Sequence, residues 1–228
     1  MHQLPEVTVG EMGVREPAEG LLSTRLKEAT NVLHHEVEHG SEVNRRIVTK
    51  VRMDGDDADK QRAEYRDAYL YFLKAAYGFE PAVLREVKNF MMQNDLETYG
   101  YFPELVDSSV LVREDFEILT DQQEQLSAPT DFPEIRSLAD LAGVEYVRRG
   151  SRNGNAYIAH AVRGNIGIGP ENGAAYLNLD QGQTRPNWEK FKTWLDSLSL
   201  NEQEQEQAVN TAMETFRAVG RWHAAVCR

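Results

Sequence analysis

Apolar residues recur along most of this chain at spacings of three and four. Leu22, Leu26, Ala29, Leu33 and Val37 form one such series, which predicts a helix from Ser23 to His39 with one buried face and a stop at Gly40. An Asp/Gly-rich break at Asp54 to Asp57 separates it from a second series, Tyr65, Ala68, Phe72 and Ala76, expected to end at Gly78. Pro81 suits the first turn of a further helix carrying Val83, Val87, Phe90 and Met91. Val110 to Leu119 reads as a shorter helix, followed by a polar loop through Pro129 and Pro133. Ser137 with Asp140 three residues on resembles a capping box, the start of a long helix that continues to about Val162 despite Gly150 and Gly154. Gly164, Gly167, Gly169 and Pro170 end it. Trp188, Phe191, Leu195 and Leu198 mark the next helix, and Val209, Ala212, Phe216 and Val219 the last. Strand-type alternation is nowhere sustained and no repeat occurs. The expectation is a single all-α domain over residues 21–228, behind a mobile Pro/Gly/Glu tail of residues 1–20.

Composition narrows the function classes. The chain has 228 residues, 41% hydrophobic and 27% charged, enough for one ordinary domain with a substantial core. Its 37 acidic residues outnumber 25 basic ones, and the resulting net charge of −12 disfavours nonspecific nucleic-acid binding. No run approaches the roughly 18 apolar residues of a membrane span, and the N-terminus lacks the pattern of a signal peptide, so a cytoplasmic protein is expected. The single cysteine, Cys227, leaves no internal disulfide framework and no thiolate metal cluster. An anionic ligand therefore depends on local basic groups such as Arg148, Arg149, Arg152 and Arg163, although a solvated helix face is the commoner role of such a cluster.

Candidate chemistry starts beside the first apolar face, where Lys27, Asn31, His34 and Glu38 form a polar stripe. Lys27 and His34 are about 10 Å apart along a helix axis. That separation suits a flat ligand with a metal bond at one point and a salt bridge at its edge, such as a porphyrin carrying acidic groups. His35-Glu36-Val37-Glu38-His39 also satisfies the zinc-hydrolase arrangement of two histidines four apart with an intervening glutamate. Val37 belongs to the apolar face, Gly40 follows at once and no third ligand is marked, so this zinc reading is an alternative without context. The plainer role of His35 and His39 is as solvent-facing helix-end residues. Gly143, Gly150 and Gly154 share one face of the long helix, with Ser151 beside them. Each glycine costs about 1 kcal/mol relative to alanine, which implies close approach to the backbone, by a flat ligand or by another helix. Spacing leaves both open.

Leu26-Lys27-Glu28-Ala29-Thr30 followed by His34 resembles the proximal signature of the heme oxygenase family. Tyr146-Val147-Arg148-Arg149-Gly150-Ser151-Arg152-Asn153-Gly154 resembles its distal-helix motif, in a form close to bacterial members associated with phytochromes. The stretch Trp188 to Leu198 and Thr215-Phe216 are similar to the helices that complete that pocket. The resemblance implies heme held between a proximal N-terminal helix and a kinked distal one. It makes His34 the iron ligand, as a neutral imidazole oriented by Glu38, and Lys27 a propionate partner with Arg149 and Lys192 as further candidates. The same resemblance implies that Tyr146 and Phe216 line the heme and that Gly150, Ser151 and Gly154 organise the distal side. The implied reaction uses heme as cofactor and substrate and dioxygen as co-substrate, giving biliverdin, carbon monoxide and ferrous iron. Electrons would come from a ferredoxin or an NAD(P)H-dependent reductase, and a bilin-receiving protein is a possible downstream partner. Two departures, Ser151 where some members carry aspartate and Gly154-Asn155 where many carry a glycine pair, motivate the rival of a noncatalytic heme-binding or sensing protein on the same scaffold.

Overall fold

The computed structural model describes residues 20–40, 42–48, 57–102, 108–120 and 129–226. These form α1 (Leu22–His35), α2 (Glu42–Val48), α3 (Ala58–Met91), α4 (Ser108–Thr120), α5 (Leu138–Ile166), α6 (Thr184–Ser197) and α7 (Glu202–Val226), with no strand among the described residues. The N-terminal tail through residue 19, Asp54 to Asp56 and Cys227 lie outside them. No helix in the described part is long and apolar enough to cross a membrane.

The first helix buries Leu22 and Leu26 and packs Leu33 and Val37 against the same core. Ala29, expected on that face, is exposed, and Thr30 is buried in its place. Burying Thr30 leaves no orphaned hydroxyl, because its Oγ1 donates to the Leu26 carbonyl at 2.7 Å. The N-terminal end of α1 is anchored: the Ser23 amide and hydroxyl each donate to Asp196 at 2.8 Å, and Arg25 pairs with Glu202 at 2.7 Å. At its other end the helix does not stay regular to His39 but widens into a π-helical turn over Glu36–Gly40. Such turns occur mostly as single bulges in α-helices, frequently at functional sites. The helix α2 was not anticipated; it is held by buried Ile47, whose carbonyl accepts from the Tyr65 hydroxyl at 2.6 Å.

A larger correction concerns α3, a single 34-residue helix where Gly78 and Pro81 predicted a break. Pro81 removes the amide that would bond the Tyr77 carbonyl, ordinarily a cost of about 3 kcal/mol. Burial carries the helix through, since Phe79, Glu80, Ala82, Val83 and Leu84 are all buried around the proline. Gly78 serves close packing: a side chain there would overlap the Trp222 indole, which donates from Nε1 to the Ala75 carbonyl at 3.0 Å.

The start of α5 is a capping box working with aspartate. Ser137 Oγ accepts from the Asp140 amide at 3.1 Å, and the Asp140 carboxylate accepts from the Arg136 amide at 3.1 Å and from Thr211 Oγ1 at 2.7 Å. Gly167, at φ +71°, closes the helix in the left-handed conformation. The expected α6 is present, but Leu198 caps it in an extended conformation. One core joins α1, the C-terminal half of α3, the start of α5, α6 and α7, and a second joins α2, the N-terminal half of α3, α4 and the segment around Tyr176. The candidate site belongs to the first, where α1 and α5 both pack along α7.

Candidate functional site

His34 is in the last turn of α1, with its side chain 48% exposed and Nδ1 3.5 Å from Glu38 Oε2. That approach is longer than a hydrogen bond but close enough to bias the ring's orientation. With Nδ1 turned to the carboxylate, Nε2 is the nitrogen available to a metal. The other constraint on the ring is Phe216 of α7, edge-on at 5.7 Å and 82°. Lys27, two turns back on α1, is exposed. His35 and His39 are exposed and lie against each other, ring centroids 4.5 Å apart. Among the described residues no group of three or more His, Cys, Asp or Glu side chains gathers in metal-binding geometry.

Across from α1, Tyr146 of α5 is buried and its ring meets Trp188 of α6 at 5.4 Å. Burial pushes its phenol up, only partly offset by a hydrogen bond with Thr30. This bond joins α1 to α5. One turn further along each helix stand His34 and Gly150, so the candidate ligand and the candidate distal glycine leave the same contact on opposite helices. The three glycines of α5 then divide. A side chain at Gly143 would strike the Ala208 carbonyl and come within 2.9 Å of the Ala212 amide, so Gly143 serves helix packing. At Gly150 it would meet Trp188 at an ordinary 3.5 Å, and at Gly154 nothing lies within 4 Å. The helix-packing reading of the glycine series therefore holds at Gly143, while Gly150 is in ordinary contact and Gly154 has room beside it. Ser151 is exposed and donates its hydroxyl to the Arg148 carbonyl at 2.8 Å.

The arginines do not form a solvated face, which corrects that expectation for the nearest of them. Arg148 is 1% and Arg152 5% exposed. Arg148 donates from Nε and Nη2 to Glu145 at 2.8 and 3.0 Å, and Arg149 Nε donates to the same carboxylate at 2.5 Å. Burial pushes the Glu145 carboxyl up, but the two guanidinium groups outweigh it and hold it well below the usual carboxylate range. Arg149 also donates to the Phe102 carbonyl at 2.9 Å and covers the Phe191 ring at 4.8 Å. Lys192 pairs with Glu189 at 2.9 Å. Asn155, the departure from the glycine pair, hydrogen-bonds the buried Tyr176. Glu80 and Glu145 were missed as site neighbours. Glu145 precedes Arg148 and Arg149 by three and four residues, a spacing that signals helical ion pairs. Glu80 carries no such signal.

These residues fit a heme. The imidazole has one nitrogen directed by a carboxylate, the facing helix carries Gly154 with open space beside it, and an exposed lysine lies two turns from the histidine. An open groove of about 410 Å³ elsewhere, along α7, carries Glu134, Glu206 and Glu214 and no basic residue in its lining, so its charge opposes an acidic ligand.

Among the described residues the chain is all-helical, with an exposed histidine on α1 and, across from it on α5, a glycine with nothing beside it, an arrangement compatible with a helical heme protein. Comparison makes the assignment specific: the heme oxygenase family model matches residues 21–225, and the chain belongs to that family of heme-degrading enzymes. Its fold is similar to the nitric oxide- and carbon monoxide-bound heme oxygenase of Neisseria meningitidis, with TM-score 0.66, 22% identity and coverage of 90% of this chain and 92% of that one. It is similar to heme oxygenase from Leptospira interrogans, with TM-score 0.67, 18% identity and coverage of 90% and 100%. The heme complex of heme oxygenase-1 from the cyanobacterium Synechocystis gives 0.65, 15% identity and coverage of 90% and 92%. No curated protein matches.

Proposed function

We propose that this protein opens heme with dioxygen to biliverdin, carbon monoxide and ferrous iron, using His34 as the iron ligand. The observation that carries the reading is the His34 environment: a half-exposed imidazole, Nδ1 toward Glu38, ring fixed edge-on by Phe216. Heme, when bound, supplies both the iron that activates dioxygen and the ring that is consumed. The chain's part is to hold and enclose it. Glu38 favours the tautomer with the proton on Nδ1 and leaves Nε2 for the metal. Phe216 and Tyr146 limit how the ligand can tilt. Lys27 is the preferred propionate partner, because Arg149 and Lys192 would have to leave Glu145 and Glu189 to serve. Gly150 and Gly154 admit a flat ligand to the α5 backbone, and the Ser151 oxygen, while donating to Arg148, can still accept a hydrogen bond from water. The reaction consumes electrons, for which we assign a ferredoxin or an NAD(P)H-dependent reductase in the cytoplasm, with a bilin-receiving protein as a candidate consumer of the product.

One observation favours the rival of heme binding without turnover: the Ser151 proton is engaged by the Arg148 carbonyl. Mixing purified protein with hemin, then adding reductase and oxygen, separates the two. Loss of the Soret band with growth of a biliverdin band supports the enzyme. A stable heme spectrum under those conditions supports the rival and contradicts the proposal. Bound zinc removable by chelator, with no Soret band, would instead support the His35/His39 alternative.

A further inference from the structure

Glu80 is the least expected charge in the molecule. It lies mid-helix in α3 immediately before Pro81, is 0% exposed, and neither carboxylate oxygen has a hydrogen-bond partner among the described residues. Its neighbours are Arg148 Nη1 at 3.8 Å and Arg152 Nη2 at 3.9 Å, and Arg148 Nη1 is likewise without a hydrogen bond. An uncompensated carboxylate in a protein core is costly. The two guanidinium groups at ion-pair distance are the compensation this carboxylate has. Both arginines have a second tether: Glu145 for Arg148, and Asp180, at 3.6 Å, for Arg152.

The position of the pair on α5 matters. At 3.6 residues per turn, Arg148 and Arg152 lie on nearly the same side, and Gly150 and Gly154 lie roughly half a turn around from them. The segment 148–154 thus has a charged side turned to α3 and a glycine side turned away from it. A cavity of about 10 Å³, lined by Arg149, Arg152, Asp180 and Trp188 among others, adjoins this segment and is near the smallest size that admits one water. Rotation of the segment would bring the arginines off Glu80 and carry the glycines out of the open space.

We infer that Glu80 is a positioning residue for the distal segment. Its charge holds Arg148 and Arg152 against α3 and so sets the rotation of α5 that presents Gly150, Ser151 and Gly154. Its consequence for catalysis rests on the heme-degrading reading; its physical basis does not.

The test is amide hydrogen exchange on the ligand-free protein, comparing wild type with Glu80→Gln and with Tyr65→Phe, a control that removes buried hydroxyl bonds to Ile47 and to Asn165 near the far end of α5, outside residues 150–156. Glu80→Gln is expected to speed exchange of amides 150–156 by about tenfold or more while sparing 138–145, and Tyr65→Phe to leave 150–156 as in wild type. Exchange that is unchanged in Glu80→Gln, or raised equally along all of α5, overturns the inference. Should that variant not fold, Glu80→Asp, which keeps the charge but retracts it, carries the same comparison with the same two outcomes. A second readout is the C–O stretch of the carbon monoxide complex of the ferrous heme form, which should shift in Glu80→Gln with the Soret-detected heme content retained. An unshifted stretch counts against the inference. Failure of wild type to bind hemin would sink the functional proposal and leave exchange to decide this one.

Discussion

The two sides of α5 are built on different physics. On one side Gly143, Tyr146, Gly150 and Gly154 offer backbone and a single phenol, tight against α7 at Gly143 and open at Gly154. On the other, Glu145, Arg148, Arg152 and the facing Glu80 are buried charges held by one another. Glycine segments are intrinsically poor helix and gain little from packing where nothing covers them. The charged side supplies the directional constraint that the glycine side gives up. On the proposed function, a helix that leaves space for a flat ligand is fixed from behind.

Breaking the charged side should produce the largest effect on stability. Glu145→Gln strips Arg148 and Arg149 of their shared carboxylate, and removing one partner of a buried pair costs about 3–5 kcal/mol, to be read from urea unfolding. The same variant tests the pH dependence. Because the Glu145 carboxyl is depressed in the folded state, its contribution is fully present above the ordinary carboxylate pKa of about 4.3 and is lost as pH falls from there toward its lower folded value. The acid decline of wild-type stability should therefore be steeper than that of the variant, and parallel declines would contradict the assignment. Gly143→Ala comes next: its Cβ meets backbone of α7 that cannot yield cheaply, a cost of about 1–3 kcal/mol visible as a lower Tm. Gly154→Ala should go the other way, raising the Tm of the ligand-free protein through a helix-propensity gain of up to about 1 kcal/mol while weakening hemin binding. A Gly154→Ala variant that binds hemin as wild type would remove the open glycine from the site.

Periodicity exposed most of the helices because each packs an apolar stripe on one of the two cores, and the Ser137–Asp140 box located the start of α5 directly. It failed at Gly78 and Pro81 because local propensity argued for a break that burial on all sides overrode. It failed at Ala29 because Thr30 could be buried once its hydroxyl found the Leu26 carbonyl, a tertiary choice invisible in hydrophobicity. Of the candidate site, the register of His34 and Glu38 was legible since both sit on one continuous helix and its π turn. The division of the glycines was not, because it depends on where α7 runs. Arg152 looked solvated because its partners, Asp180 and Glu80, come from segments remote in sequence, and Arg148 because Glu80 does, although Glu145 stood at ion-pair spacing before it.

The central claim is that the helix facing α5 holds the iron through His34 and not through the more conspicuous His35 and His39. Absorption spectra of the hemin complexes of wild type, His34→Ala and His35→Ala test it most directly. The account predicts that His34→Ala loses the imidazole-ligated Soret spectrum and partly recovers it with added imidazole, with unfolding stability little changed because the side chain is half exposed, and that His35→Ala retains the wild-type spectrum. Equal loss in both variants, or a wild-type spectrum in His34→Ala, would contradict it.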